Sequence, residues 1–478
     1  MTSNRDFLGT GNVHRLLLKL SSWAVLAMLT LGIYSFISTI IIAKGVNMEA
    51  VGAIGIVFPL LTLYHGFAQM VSIGAASHIS LSLGKHDDEQ ASLTAGNAYL
   101  LTIIMSLGLI ILTALFSKTL LQISGANREL MPLALQYLKI LKWGVPFHAI
   151  VLLSSAVFRA EGNLKLSTLV IIMEAVLNLM FDFLLIYQLK LGIRSVAFAA
   201  ILASFLTAIY ALAQIWRQKN ALRLVKRHFK LHFKTSRSIL SIGFSAFSRN
   251  AATTAFSLVA NNTLKTFGGS TALMAFGAVN RVVVFFFLPI MGINQGLQPI
   301  ASYNYGAKKL IRVKQVVKFA LLYATVIGTL ATLVGLIFSP TIIRLFTRNP
   351  DIFNEATLIL RFQLLFFWTF GPQTVAATLY QAIGKAWPSL VLSTFKQLLL
   401  LIPLVILLPR LGVLEAFGIW LAYPISDFLA LIIVCLALKR QLAIFQSTDT
   451  VQNGNNGHAN ITKNRRPHCC DPKETESH

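Results

Sequence analysis

The sequence predicts an all-α integral membrane protein, with twelve transmembrane helices in two six-helix lobes related by an internal repeat. Three observations carry this expectation. The chain has 478 residues, of which 55% are apolar and only 12% charged, about half the ~25% charged fraction of an average soluble domain. The apolar residues fall in long runs near the ~20 residues that a spanning helix needs, and lack the weak ten-residue alternation of spanning strands. The third is a repeat without a gap at an offset of 222 positions, which carries Gly55, Gly74 and Gly84 onto Gly277, Gly296 and Gly306, and Ala160, Gly162 and Ser167 onto Ala382, Gly384 and Ser389. The same register aligns Ala53, Val57 and Ser80 with Ala275, Val279 and Ser302, and slips by two residues at Gly192/Gly412.

The first apolar run, 20–43, is too long for a cleavable signal peptide and has no small-residue cleavage site after it. The second, 49–81, exceeds the membrane thickness and is expected to tilt or project beyond it. Runs 93–116, 131–158, 166–187 and 195–216 complete an amino-terminal lobe over residues 1–216. Residues 217–237 hold eight basic side chains and no acid, the composition of an amphipathic linker at the cytoplasmic interface. Runs 238–264, 271–302, 318–338, 355–383, 389–408 and 415–438 form the second lobe, residues 238–445. The polar remainder, 446–478, reads as a disordered cytoplasmic tail. Pro59, Pro146, Pro289, Pro372 and Pro403 fall inside apolar runs, where they kink helices.

The net charge of +24 is a topology signal rather than a nucleic-acid footprint. With a cytoplasmic amino terminus, the cytoplasmic connections hold 22 Lys and Arg residues and the opposite ones 9. That bias orients both termini to the cytoplasm and places the basic groups against anionic lipid headgroups. Cys435, Cys469 and Cys470 offer neither a disulfide framework nor a spaced zinc site. The sequence lacks a P-loop and the common hydrolase motifs. It therefore reads as neither an ATPase nor another enzyme, with no cofactor, and with an ion gradient as its energy source.

Ionisable groups inside apolar helices are costly and mark function or pairing. In the fifth run Glu174, Asn178 and Asp182 stand at i, i+4 and i+8 on one stripe. Two carboxylates and an amide supply hard oxygen ligands for Na⁺ or an acceptor for H⁺. The seventh run carries Asn250, Thr253, Thr254, Ser257 and Asn261, with Arg249 beside them. Such residues join helices or line a cavity. Asn250, Thr253, Ser257 and Asn261, with Gln69 and Gln295, are the candidate substrate-cavity residues. Arg281, Arg361 and Lys396 are expected to find structural partners, Asp427 being one candidate for Arg281. His65 and His78 are titratable but belong to no metal-spaced cluster. Phe285–Phe287 and Phe366–Trp368 are expected to pack or face lipid.

Five stretches carry a family resemblance: GINQGLQPIASYNYGAKKLIRVK (292–314), FRAEGNLK (158–165), QAIGK (381–385), GFSAFSR (243–249) and GIWLAYPISD (418–427). Over about residues 8–445 the chain resembles the multidrug and toxic compound extrusion (MATE) transporters, in the branch of bacterial multidrug exporters. The resemblance implies twelve helices around a central cavity and export of amphipathic, typically cationic compounds against inward H⁺ or Na⁺. It implies a multi-pass protein of the bacterial inner membrane, expected to be a monomer. Its cation site is implied at Asn178 and Asp182, with Na⁺ or H⁺ as the occupant. Ser38 stands where the first-helix Asp is expected, and Ala200 where the sixth-helix Thr is expected. Glu174 offers a replacement for the carboxylate lost at Ser38. Two alternatives stay open: a lipid-linked saccharide flippase, suggested by Arg249, Arg281 and Arg361, and a homologue that has lost coupling, suggested by Ser38 and Ala200.

Overall fold

The computed structural model describes residues 4–126, 128–189, 192–217, 222, 225–345, 349–411 and 415–463. Among these residues there is no strand. Helices α1 (Asn4–Thr10), α2 (Val13–Gly45), α3 (Met48–Gly84), α4 (Asp88–Ile123), α5 (Met131–Leu141), α6 (Val145–Ala160), α7 (Leu164–Tyr187) and α8 (Ile193–Arg217) build the first lobe. Helices α9 (Phe233–Phe267), α10 (Gly269–Gly306), α11 (Leu310–Arg344), α12 (Pro350–Leu364), α13 (Phe370–Ala382), α14 (Ala386–Phe395), α15 (Ile402–Leu407) and α16 (Glu415–Lys463) build the second.

Polar side chains set several helix starts. Asn12, Asn47, Asp87, Asn163 and Asn349 each accept a backbone N–H from the first turn of α2, α3, α4, α7 and α12. Such a cap satisfies donors that the first turn would otherwise leave bare. Helices α3 and α10 have 37 and 38 residues, about 55 Å at 1.5 Å per residue. They project well past a ~30 Å hydrocarbon core, as their long apolar runs predict.

Ten of the twelve spans are long and apolar enough by hydropathy alone among the described residues. The other two have identifiable reasons for falling short. Helix α9 carries the Asn/Thr/Ser stripe. The span expected at 355–383 is broken into α12 and α13 around Phe367–Thr369. The run 131–158 is likewise split at Lys142–Gly144, and the run 389–408 passes through a wide π-type turn at Lys396–Leu401. Pro146, Pro372 and Pro403 lie in the first turns of α6, α13 and α15. A proline there has no helical N–H to lose, so it starts a new segment more readily than it bends an old one. Pro59 and Pro289 do lie within α3 and α10.

The repeat is visible in how the lobes meet. The first spanning helix of each lobe packs on the second spanning helix of the other: α2 on α10, and α9 on α3. Where α3 and α10 cross, a Cβ on Gly84 would lie 2.0 Å from the Tyr303 carbonyl oxygen, and one on Gly306 would lie 2.2 Å from that of Leu81. Gly84 and Leu81 are the repeat counterparts of Gly306 and Tyr303. The contact is therefore self-complementary about a pseudo-twofold axis, and only glycine permits so close an approach of backbones. Gly74 makes the matching approach to Ile239 and Gly243 of α9, and Gly296 to Ser21 of α2.

The connecting segments are tied to the lobes by charge. In the basic linker, Arg227 and His228 meet Glu89 of α4 at 2.9 and 3.2 Å. The Leu222 N–H donates to Glu161 at 3.4 Å. Linker residues 218–221, 223 and 224 lie outside the described residues. At the other end, α1 docks on the second lobe: Asn304 donates to the Leu8 carbonyl, Lys309 to that of Gly9 and Arg312 to that of Gly11. Where a disordered tail is expected from 446, α16 continues to Lys463. No proline lies between Pro424 and Pro467 to stop it. The rest of the tail, with Cys469 and Cys470, lies outside the described residues.

Candidate functional site

Helix α7 carries its polar stripe into the first lobe between α2, α6 and α8. Asp182 is fully buried, and Asn178, one turn earlier, is nearly so. The Ser38 hydroxyl of α2 donates to Asp182 Oδ2 at 2.9 Å. Asp182 Oδ1 is buried with no hydrogen-bond partner among the described residues. A buried carboxylate oxygen without a donor is unstable as an anion unless something positive reaches it. Tyr34 of α2 stands next to Ser38, within electrostatic reach of Asp182, Tyr137 and Glu174. Ser38 and Asp182, both candidates for the cation site, are therefore in direct contact. Since a proton or a small cation would each satisfy Oδ1, the donor set fits either.

Glu174 does not join this pair. Its Oε1 accepts the Ser204 hydroxyl of α8 at 2.6 Å and the Nδ1 proton of His148 of α6 at 3.0 Å. His148 Nε2 lies 3.4 Å from His65 Nδ1. His65 Nε2 is 2.9 Å from the amide nitrogen of Gln69, one turn on in α3. Gln69 Oε1 in turn accepts from Asn250 of α9 at 3.2 Å. A single hydrogen-bonded row therefore leads from a carboxylate inside the first lobe to the second lobe. Glu174 is largely buried, while the His148 side chain keeps 39% of its surface exposed.

The remaining candidates do not gather in one place. Thr253, Thr254 and Ser257 each return a hydrogen bond to the carbonyl four residues earlier, and Thr253 also pairs with Gln397. These hydroxyls are satisfied within α9, as Ser and Thr commonly are inside helices. Asn261 is exposed. Gln295 reaches Met28 Sδ at 3.3 Å across the α10–α2 contact. Arg361 donates to Ser339 at 2.9 Å, the structural partner expected of it. Arg281 is exposed and does not hold Asp427. Asp427 Oδ1 accepts instead from Lys396, Thr369 and Gln373. Lys396 opens the wide turn at 396–401, which packs against α16.

Tyr34, His148, Ser204, Thr369 and Gln373 escape a sequence reading. For His148 a signal was present: it is a lone imidazole in an apolar run, the same mark that singles out Glu174. The partners of both come from other helices. A separate, small apolar pocket between α3, α4 and α6 is lined by residues including Phe67, Val71, Met105 and Leu109, and holds neither carboxylate.

Known proteins resemble this chain over most of its length. The MatE family model matches residues 24–184 and 245–407, one block in each lobe. The chain is 24% identical over 401 residues to the probable multidrug resistance protein YoeA of Bacillus subtilis, covering 82% of this chain and 86% of that one. It is 24% identical over 414 residues to the multidrug export protein MepA of Staphylococcus haemolyticus, covering 86% and 91%. Among solved structures, an outward-facing multidrug resistance MATE family transporter of the MOP superfamily superposes with a TM-score of 0.88 at 21% identity, covering 94% of this chain and 99% of that one.

Proposed function

The chain belongs to the MatE family, and on that premise we propose that it is a secondary antiporter that exports amphipathic, cationic drugs or toxic metabolites in exchange for H⁺ or Na⁺. The observation that carries the reading is Asp182: fully buried, held by Ser38 through one oxygen and left with the other unpartnered among the described residues. Asn178 is its neutral neighbour one turn away. A positive ion arriving there from one side of the membrane and leaving to the other biases the lobes between two states, provided its affinity differs between them. Glu174 supplies the negative charge that Ser38 lacks, in concert with His148 and Ser204. Asn250, Thr253, Ser257, Asn261, Gln69 and Gln295 contribute to substrate passage between the lobes.

In this reading residues 1–216 and 238–445 are the moving lobes and 217–237 the linker. The protein is a monomer in the bacterial inner membrane with both termini cytoplasmic. Bacterial relatives with drug-export names support the substrate class. A second reading, a homologue with weakened coupling, is favoured by Ser38 in place of a carboxylate and by the His148 donor that already engages Glu174. The flippase reading loses support, because Arg361 is engaged by Ser339. Flux of a fluorescent organic cation in proteoliposomes under an imposed pH or Na⁺ gradient tests the proposal. Accumulation that collapses with one of the two gradients supports antiport and names the ion. Flux that ignores both contradicts antiport.

A further inference from the structure

We propose that His65 and His148 form a proton-binding site separate from Asp182, and that its occupancy is locked to lobe contact through the Gln69–Asn250 amide pair. The argument starts at a backbone carbonyl. Asn250 Nδ2 donates to the Ala246 carbonyl at 3.1 Å and to Gln69 Oε1 at 3.2 Å. A carbonyl only accepts, so the Asn250 amide cannot turn over without losing that bond. Gln69 must therefore show its oxygen to Asn250 and its NH₂ to His65. With an NH₂ donating to it at 2.9 Å, His65 Nε2 must be bare. Its proton then lies on Nδ1, which donates to His148 Nε2. His148 in turn carries its proton on Nδ1 and donates to Glu174 Oε1. Every donor in the row points the same way, and both imidazoles are neutral.

One added proton on either imidazole breaks this order. If His65 Nε2 takes it, His65 becomes an imidazolium with N–H at both positions, and Nε2–H faces the Gln69 NH₂. If His148 Nε2 takes it, His148 is the imidazolium, and His65 keeps a bond to it only by holding its single proton on Nε2. Both cases put N–H opposite N–H at Gln69. Relief comes when the Gln69 amide turns its oxygen to His65, which leaves its NH₂ facing the NH₂ of Asn250. Two donors facing each other repel, so α3 and α9 lose this contact. Apposed lobes at Gln69–Asn250 thus require neutral imidazoles, and a bound proton favours parting. The other titratable groups around the row are Glu174 of α7 and Tyr34 of α2, which lies in reach of Glu174. Arg249 precedes Asn250 on α9, and Tyr64 of α3 is turned to Thr113. The Ser204 hydroxyl of α8 holds Glu174 as an acceptor.

The inference rests on the antiport reading only in taking lobe separation to be the transporting movement, and its test reads separation without transport. Spin labels are placed on the exposed positions Lys85 and Lys234, by K85C and K234C after Cys435, Cys469 and Cys470 are replaced by serine. The full-length protein in lipid nanodiscs is then titrated from alkaline to acid pH. The expected result is a population shift to longer distances in acid, retained in Asp182→Asn and lost in both His65→Gln and His148→Gln. Gln69→Ala, which removes the amide, is expected to uncouple distance from pH while keeping the fold, as judged by elution and thermal stability. The inference is overturned if the parent distance ignores pH. It is overturned equally if both histidine variants respond like the parent, or if Asp182→Asn alone abolishes the response. That last outcome leaves the Asp182 reading standing.

Discussion

Glu174 in α7 and Lys396 in the turn between α14 and α15 occupy equivalent places in the two halves, 222 positions apart, and carry opposite charge. Each is met by a partner of opposite or compensating character: His148 and Ser204 for Glu174, and Asp427 for Lys396. The duplication has kept the backbone crossing of the lobes and let their interiors diverge. The second lobe closes its carboxylate with a fixed ammonium, whereas the first leaves Asp182 open. On the antiport proposal, this asymmetry favours the first lobe for ion exchange.

If Lys396 serves structure, Lys396→Met leaves Asp427 buried with only neutral donors. The expected cost is about 2 kcal/mol, typical of an under-satisfied buried polar group, read as a lowered thermal transition in detergent. The double variant Lys396→Met/Asp427→Asn is expected to recover most of the loss, since the two changes act on one interaction.

The glycine crossing gives a second expectation. Gly84→Ala and Gly306→Ala each drive a methyl to about 2 Å from a facing carbonyl oxygen. Each is expected to cost roughly 1–3 kcal/mol as α3 and α10 are forced apart. Thermal stability in detergent measures it. Gly55→Ala and Gly277→Ala have nothing within 4 Å to meet and serve as silent controls.

Ser38 holds one oxygen of Asp182. Ser38→Ala removes the only hydrogen bond found for that carboxylate among the described residues. A hydrogen bond to a charged group contributes about 1.5–3 kcal/mol, so initial efflux rates in proteoliposomes are expected to change about tenfold or more. Ser38→Cys, which keeps a weak donor, is expected to fall between.

Glu174→Gln retains an acceptor for Ser204 and His148 but removes the charge. Gradient-driven export is expected to drop severalfold, with substrate binding to the purified protein unchanged. Undiminished export would show that Glu174 does not replace the missing first-helix carboxylate.

The helices, the repeat and the α7 stripe were legible because each is local. Apolar run length, a fixed offset and an i, i+4, i+8 spacing all survive in one dimension. The family resemblance marks Ser38 as the place of an expected acid, but its hydrogen bond to Asp182 joins two helices and is not written in the sequence. The His65–His148–Glu174 row was not legible, because its members stand 83 and 26 residues apart on three helices. Asp427 was assigned the wrong candidate partner for a related reason. A π-type turn begins at Lys396, and hydropathy does not report it. The breaks at 142–144 and 365–369 were equally hidden: proline positions mark where a helix can restart, and hydropathy averages across them.

The most direct test of the central claim is gradient-driven efflux of a fluorescent organic cation from proteoliposomes carrying Asp182→Asn. The substitution keeps the shape and an oxygen to accept from Ser38, removes the charge and puts an NH₂ in place of the unpartnered oxygen. Efflux falling to the level of protein-free vesicles, with substrate binding retained, is the predicted result. Efflux at the parent rate would contradict the account.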